Sequence, residues 1–300
     1  MHVTLLHNPT AGDERHSRES LVAILADEGH EVIYRSVKDE GWQGALAEDA
    51  DLFVVAGGDG TVRKVFKALS GVRTPVTLFP VGSANNIART LGFEHDDAAR
   101  LARGWAGGTR RSYDLGRVEL PTGTPAFVES TGGGIFAEVI GLAKRRDEAG
   151  TQDKVELGLR LLREVVEQAP SLRWELQLDG VDLHSDLLAI EAMNVRETGP
   201  NVPLAPDADP GDGLLDVVLV TNEDRAAFLA YLDGRLETRP VEAPRFTTRR
   251  GKKLVLRPPE GCGLRMDDEL LAEGTERDGI DSARMSVDPA RLIVLVPAPR

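Results

Sequence analysis

Cysteine is almost missing from these 300 residues: Cys262 stands alone, which excludes an internal disulfide and a Cys-rich zinc site. Long apolar runs are missing too. None reaches the roughly 18 residues that a membrane-spanning helix needs, and Met1 to Pro9 opens directly on an apolar strand pattern, without the basic and apolar regions of a signal peptide. The expected compartment is therefore the cytoplasm. Basic charge is the third deficit. Lys and Arg total 36 against 49 Asp and Glu, a net charge of −13, which argues against a nucleic-acid binder, whose footprint is basic. Basic runs survive locally at Arg110-Arg111, Lys144-Arg145-Arg146, and Arg249-Arg250 with Lys252-Lys253. Such runs are ordinarily solvated faces, and an Arg-rich rim also allows transient contact with an anionic inner membrane surface.

What is present is a globular composition, 41% hydrophobic and 28% charged, with length for one large or two ordinary domains. Strand and helix signals alternate at first: strands at Val3–His7, Glu31–Val37, Asp51–Ala56 and Pro75–Val81, and helices at 17–28, Thr61–Leu69 and Ala84–Leu91. That alternation predicts a parallel α/β sheet with right-handed crossovers. The pattern changes near residue 112. Tyr113–Leu120 and Ala126–Ser130 read as paired strands around a turn at 121–123, and a long amphipathic helix near 154–168 follows. Asp179-Gly180 then marks a hairpin. Further strands are expected at Leu188–Val195, Leu215–Thr221, Lys253–Arg257, Gly263–Met266 and Arg291–Pro297. The organisation read from this is an α/β domain at 1–112 and an antiparallel β-rich domain at 113–289, with a strand in about 290–300 able to return to the first.

Gly57-Gly58-Asp59-Gly60-Thr61 sits between the buried third strand and a helix. At the carboxyl end of a parallel strand, such a turn lies where α/β sheets bind ligands; its glycines admit phosphate oxygens to backbone amides, and Thr61 opens a helix whose N-terminus favours anions. Asp59 would repel phosphate, which points to a bridging metal ion or to a hydroxyl to be activated. A second strand, turn and helix start, Leu78 to Arg89, repeats the geometry. Its Ser83 suits a helix cap and its Asn85 a ligand hydrogen bond. Asn8-Pro9 makes a third polar loop at the same edge, and three such loops suit a nucleotide. Gly132 to Ala137 fits a degenerate dinucleotide fingerprint but lacks the preceding βαβ pattern; these glycines are read instead as backbone lining a substrate cleft. No Walker motif, protein-kinase signature set or Gly-x-Ser-x-Gly elbow is present.

The blocks HNPTAG (7–12), AGGDGTVRKV (56–65), LFPVGSANNIARTLG (78–92), STGGGIFAEV (130–139), LAPDADPGDGLLDV (204–217) and MDDE (266–269) resemble the diacylglycerol kinase catalytic-domain family, including bacterial soluble lipid kinases and sphingosine kinases. The resemblance spans nearly the whole chain. It implies an α/β nucleotide domain with a parallel sheet, a C-terminal antiparallel β-sandwich, and transfer of the ATP γ-phosphoryl group to a lipid hydroxyl, diacylglycerol-like or sphingoid-like, with Mg2+. By position, Gly57, Gly58, Asp59, Gly60, Thr61, Val62, Arg63 and Ser83 would contact ATP, with Asn8 and Ser36 nearby. Asp209, Asp212 and the Leu214 carbonyl would lie at magnesium. Asp267 and Glu269 match the outer residues of the family's Asp-Gly-Glu signature, with Glu269 the first choice of general base and Asp59 the second. The sequence departs from the family at Asn86, usually Asp, at Ser83, usually Thr, and at Asp268, usually Gly. Two other readings remain: an NAD kinase-like enzyme, which shares GGDGT, and a non-catalytic nucleotide- or lipid-binding regulator.

Overall fold

Short apolar strands and helices alternate at the start of the chain: β1 (His2–His7), α1 (Arg18–Asp27), β2 (Glu31–Ser36), β3 (Leu52–Gly57), α2 (Asp59–Ala68), β4 (Val76–Pro80), α3 (Asn86–Leu91) and α4 (Ala98–Arg103). The computed structural model describes residues 1–12, 16–93, 97–120, 123–146, 154–272 and 282–298; the turn expected at 121–123 lies partly outside them, at 121 and 122. Every residue of β3 is buried, as an interior parallel strand requires. Helix α2 buries Val62, Val65 and Phe66, one stripe at helical spacing, and carries Lys67 in its last turn, where a cation complements the helix dipole. Helix α1 is started by Ser17, whose hydroxyl accepts the Ser20 amide at 3.2 Å.

The rest of the chain adds β5 (Thr109–Glu119), β6 (Ala126–Phe127), β7 (Ser130–Gly134), α5 (Ile135–Arg146), α6 (Lys154–Gln168), β8 (Leu172–Leu178), β9 (Val181–Asp182), β10 (Ser185–Leu187), β11 (Ala189–Met193), β12 (Glu197–Thr198), β13 (Val202–Pro203), β14 (Leu215–Val220), α7 (Arg225–Leu236), β15 (Thr247–Gly251), β16 (Lys253–Arg257), β17 (Leu264–Met266), β18 (Glu269–Ala272) and β19 (Ala283–Val296). The chain forms two compact units: Met1–Leu115 with Pro210–Asp212 and Pro289–Arg300, and Gly116–Asp209 with Gly213–Asp288. Strands β5 and β19 each begin in one unit and end in the other.

The first unit holds the parallel sheet, in the order β19-β4-β3-β1-β2. The second is an antiparallel β-sandwich. One sheet is six-stranded, β15-β14-β11-β7-β17-β18, and the other runs β10-β8-β16-β19. Alternate residues of both sheets meet in one core, with Trp174 and Leu176 of β8 and Leu254 and Leu256 of β16 packed with Ile190 of β11, Val217 of β14 and Leu264 of β17. Helix α6 packs against both α5 and α7, and the Arg225 guanidinium of α7 donates to the carbonyls of Val166, Glu167 and Ala169, satisfying the open end of α6.

Three features differ from the sequence reading. Helix α5 begins straight after the glycine run, where a β-rich segment was read. Helix α7 escapes notice because it carries Gly234, held small by packing: a Cβ there would stand 2.1 Å from Val241 Cγ1. The last strand is 14 residues long rather than confined to Arg291–Pro297, since Pro289, which cannot donate to a ladder, hides its continuity.

Gly116 pairs directly with Phe127, whose ring covers it; a Cβ at 116 would fall 1.9 Å from Phe127 Cζ. Gly116→Ala should therefore destabilise the sandwich by about 1–3 kcal/mol, and adding Phe127→Leu should recover part of that loss. Denaturant midpoints of the two variants check this.

Candidate functional site

Strand β1 is flanked by β2 on one side and β3 on the other, so the sheet's chain order reverses beside it. Loops leaving the carboxyl ends of strands at such a point form the ligand crevice of an open α/β sheet. After β1, the Asn8 amide donates to the Ala56 carbonyl at 2.9 Å, Nδ2 donates to Thr61 Oγ1 at 3.1 Å, and Oδ1 accepts from the Thr10 amide and hydroxyl at 3.2 and 2.9 Å. Asn8 thus stitches the first loop to the start of α2. At the same edge Ser36 ends β2 opposite His7; it is buried, and its hydroxyl accepts the Lys38 amide at 3.1 Å.

The loops after β3 and β4 touch through glycine. A Cβ on Gly82 would lie 2.3 Å from the Gly58 Cα, and one on Gly57 2.5 Å from the Thr61 Cβ. Asn85, left-handed at φ 55°, folds the second loop: its Oδ1 accepts the Gly82 amide at 3.1 Å and its Nδ2 donates to the Gly82 carbonyl at 2.7 Å. Its side chain is buried in this task, so the structure shows it shaping the loop. Ser83 is exposed and does not cap α3. That cap comes from Asp59, whose Oδ1 accepts the Ile87 amide at 3.0 Å. Burial raises the Asp59 carboxyl above its ordinary range, against the amides of Ile87, Asn86 and Asn85 and the charge of Arg63. Asp59 is therefore turned toward the first amides of α3, which gives an acid among phosphate-type glycines a structural role. Asn86 is buried where α3 begins. Thr61 and Val62 are buried on the core side of α2, while Gly60 is exposed, and a Cβ there would meet nothing closer than Arg63 Nη2 at 3.5 Å.

In the sandwich, β17 and β18 pair with Met266 opposite Glu269, so Asp267 and Asp268 form a tight hairpin loop. Asp267, at φ 54°, is the left-handed residue. Position 268 does not need the glycine that the family pattern has there, because the residue with positive φ is Asp267. The Asp267 carboxylate is buried and accepts the amides of Val128 and Glu129, at 3.1 and 2.9 Å to Oδ1, while its own amide donates to the Ser130 carbonyl at 2.8 Å. Glu269 is exposed at the start of β18.

Beneath this loop lies a pair that the sequence reading missed. Arg265 is 3% exposed and Glu191 0%, and the guanidinium grips the carboxylate two-pronged, Nε to Oε1 at 2.9 Å and Nη2 to Oε2 at 2.7 Å. Burial pushes the Glu191 carboxyl up to about 7, with Arg265 pulling it back toward the ionised form. The available signal was a charged residue inside each of two apolar strand patterns, AIEAM and LRM.

The acidic loop carries Asp209, half-buried, Asp212, exposed, and Leu214. Its tip is tied down where the Asp114 amide donates to the Pro210 carbonyl at 2.6 Å and the Asp114 carboxylate accepts the Ala290 amide at 2.6 Å. Among the described residues no three acidic, His or Cys side chains converge as a metal cluster. The loop's oxygen donors still fit Mg2+, which keeps several waters and needs one or two carboxylates. Gly132 and Gly133 are buried within β7, where a Cβ on Gly133 would lie 2.7 Å from Trp174 Cη2; they serve packing, not the lining of a cleft. Two of the basic runs are partly neutralised, Arg146 by Glu164 at 2.6 Å and Arg250 by Asp216 at 3.4 Å. Among the described residues no helix is long and apolar enough to cross a membrane.

A sheet switch point with a glycine-rich strand-to-helix turn, followed by a β-sandwich, is the architecture that the sequence resemblance implied for a nucleotide-dependent kinase. Comparison narrows it. The profile of the diacylglycerol kinase catalytic domain matches residues 2–118, and that of the YegS C-terminal NAD kinase beta sandwich-like domain matches 134–296. The chain is 31% identical over 309 aligned positions to a Pseudomonas aeruginosa protein named "Probable lipid kinase YegS-like", covering 98% of this chain and 93% of that one. It is 25% identical to a Mycobacterium tuberculosis diacylglycerol kinase, covering 98% and 95%. A crystal structure of a diacylglycerol kinase from Bacillus anthracis superposes with a TM-score of 0.67 at 16% identity, covering 99% and 97%. The chain belongs to the diacylglycerol kinase family of lipid kinases.

The raised pKa of Asp59 makes stability depend on pH. The folded state holds this proton more tightly than the unfolded chain, so the group's contribution to stability is full below the ordinary value of 3.8 and is lost as pH climbs through the raised folded value. Thermal melts at rising pH, from about 4 upward, should show Asp59→Asn gaining on the parent. A difference independent of pH would contradict this.

Proposed function

We propose that this protein transfers the γ-phosphoryl group of ATP to the free hydroxyl of a diacylglycerol-like or sphingoid-like lipid, meeting a membrane surface transiently to reach it. The observation that carries this reading is the glycine-bounded start of α2 at the sheet's switch point, matched over the whole chain to lipid kinases. In this reading the amides opening α2 at Asp59 and Gly60 hold phosphate oxygens, assisted by the positive end of the helix, with Arg63 one turn on; the Thr61 amide is given to the Gly58 carbonyl at 2.9 Å and closes the turn behind them. Asn8, Ser36 and the Gly57-Gly58 and Gly82-Ser83 backbone shape the nucleotide's bed. Asp209, Asp212 and the Leu214 carbonyl would hold Mg2+, which supplies charge neutralisation on the phosphates. Phosphoryl transfer asks chiefly for positioning and charge stabilisation.

Glu269 takes the proton of the lipid hydroxyl as its oxygen bonds to the γ-phosphorus and the bond to the β,γ-bridging oxygen breaks, leaving lipid phosphate and ADP. Asp267 is the weaker candidate for that base, because its carboxylate already accepts two backbone amides. Asp59 is weaker for the same reason, being bound to the start of α3.

Two substitutions test the reading. Glu269→Gln keeps size and hydrogen-bonding shape but cannot take a proton, so kcat with vesicle-borne diacylglycerol or sphingosine should fall by about 10² to 10⁴ while ATP affinity by calorimetry holds. Gly60→Val adds a branched side chain at an exposed position, and should weaken ATP binding roughly tenfold, about 1.4 kcal/mol, without lowering the melting temperature. Turnover of NAD in place of lipid by the parent would overturn the choice of acceptor.

A further inference from the structure

The buried Arg265–Glu191 pair has no part in the chemistry described above, yet it is wired to the loop that carries the candidate base. Having spent Nε and Nη2 on the two carboxylate oxygens of Glu191, the guanidinium gives Nη1 to the backbone carbonyl of Asp267 at 2.6 Å. Nη2 also reaches Ser130 Oγ at 2.9 Å and Thr198 Oγ1 at 3.0 Å, and the face of the group lies over Phe136, 5.7 Å from the ring centre. One side chain thereby ties together β11 through Glu191, β7 through Ser130, β12 through Thr198 and the loop at Asp267. The Asp267 loop is thus held at three groups: its carbonyl by Arg265, its carboxylate by the Val128 and Glu129 amides, and its amide by the Ser130 carbonyl.

We propose that Arg265 is a positioning residue for phosphoryl transfer, fixing through the Asp267 carbonyl the hairpin on which Glu269 stands, and that Glu191 serves to fix the guanidinium. The proposal rests on the reading of Glu269 as the proton acceptor. Its physical basis is specific. A left-handed non-glycine residue is strained unless its surroundings over-determine it, and Asp267 at φ 54° sits two residues before Glu269. A planar fork can hold a carboxylate and a carbonyl at once, which a lysine ammonium on a flexible stem cannot do in the same geometry. The buried charge itself is not needed for stability, because well-packed apolar replacements of a buried ion pair are often neutral or stabilising. Positioning and plain structural support therefore predict different things.

The experiment uses the full chain carrying both Glu191→Met and Arg265→Met, with Arg265→Lys alone as a second variant that keeps the ion pair should the double variant fold poorly. Hydrogen exchange over 126–131 and 264–272, melting temperature, and kcat and KM for ATP with vesicle-borne diacylglycerol are measured beside Glu269→Gln. The expected result is faster exchange at the hairpin in both variants and a kcat lowered roughly ten- to a hundredfold, the scale set by a displacement of about 1 Å at a reacting group. KM for ATP should stay parental, and the double variant should melt close to the parent. Parental exchange at the hairpin overturns the proposal. So does parental kcat in a folded double variant, or in Arg265→Lys, when Glu269→Gln is inactive. Parental kcat in Glu269→Gln overturns instead the assignment of the base on which the proposal rests, and the exchange data then still report whether Arg265 orders the loop.

Discussion

At the edge of the parallel sheet, everything depends on two loops meeting so closely that neither carries a side chain at the point of contact. The Gly58 and Gly82 backbones leave 2.3 Å where a Cβ would go, far inside any real contact. That approach brings Asp59, at the head of α2, within reach of the first amides of α3, so the helix after β4 is capped by the loop after β3. Asn85 then folds its own loop around Gly82, and Asn8 locks the loop after β1 to Thr61. Three segments distant in sequence become one rigid rim. A rim of that kind suits phosphate recognition, because backbone amides bind well only when their directions are set before the ligand arrives.

The sandwich solves a similar problem by burying charge. A hairpin loop with a left-handed aspartate is unfavourable alone, and here the backbone is held from two sides. Burying Arg265 and Glu191 costs desolvation, which the two-pronged geometry and the hydroxyls of Ser130 and Thr198 offset. The departure from glycine at position 268 becomes intelligible on the same ground, since the residue with positive φ is its neighbour.

Much of this architecture is legible in the sequence, and the reasons are local. DLFVVA can only be an interior strand, and GGDGT after it marks a turn at the sheet's ligand edge; order and spacing of the blocks then identify the family. What escapes is what depends on residues meeting across the fold. Ser83 has the right chemistry for a cap, but nothing in a linear reading shows that Asp59, more than twenty residues earlier in the chain, already holds the amides. Asn85 looks free for a ligand until the Gly82 loop closes on it. Gly132 and Gly133 resemble a binding run because glycines required by the neighbouring strand at Ile190 and by Trp174 look like any others. Helix α7 and the full length of β19 are hidden by Gly234 and Pro289, residues whose tolerance is tertiary.

The distribution of carboxylates gives the last step. Of the acids in the matching motifs, Asp59 accepts the amide that opens α3 and Asp267 accepts two amides of the segment leading into β7. Groups held this way work as caps: their oxygens already point at donors, and taking a proton would weaken the hydrogen bonds that keep their loops in place. A base for phosphoryl transfer has the opposite requirement. It must stand on a rigid backbone yet leave its carboxylate open to a hydroxyl arriving from outside. Glu269, the base proposed above, is exposed and placed directly after a loop that its buried neighbours Asp267 and Arg265 hold. The same arrangement accounts for an acid at position 268 beside it: that residue is exposed too, so its charge is screened by water and leaves the buried carboxylate of Asp267 to its amides.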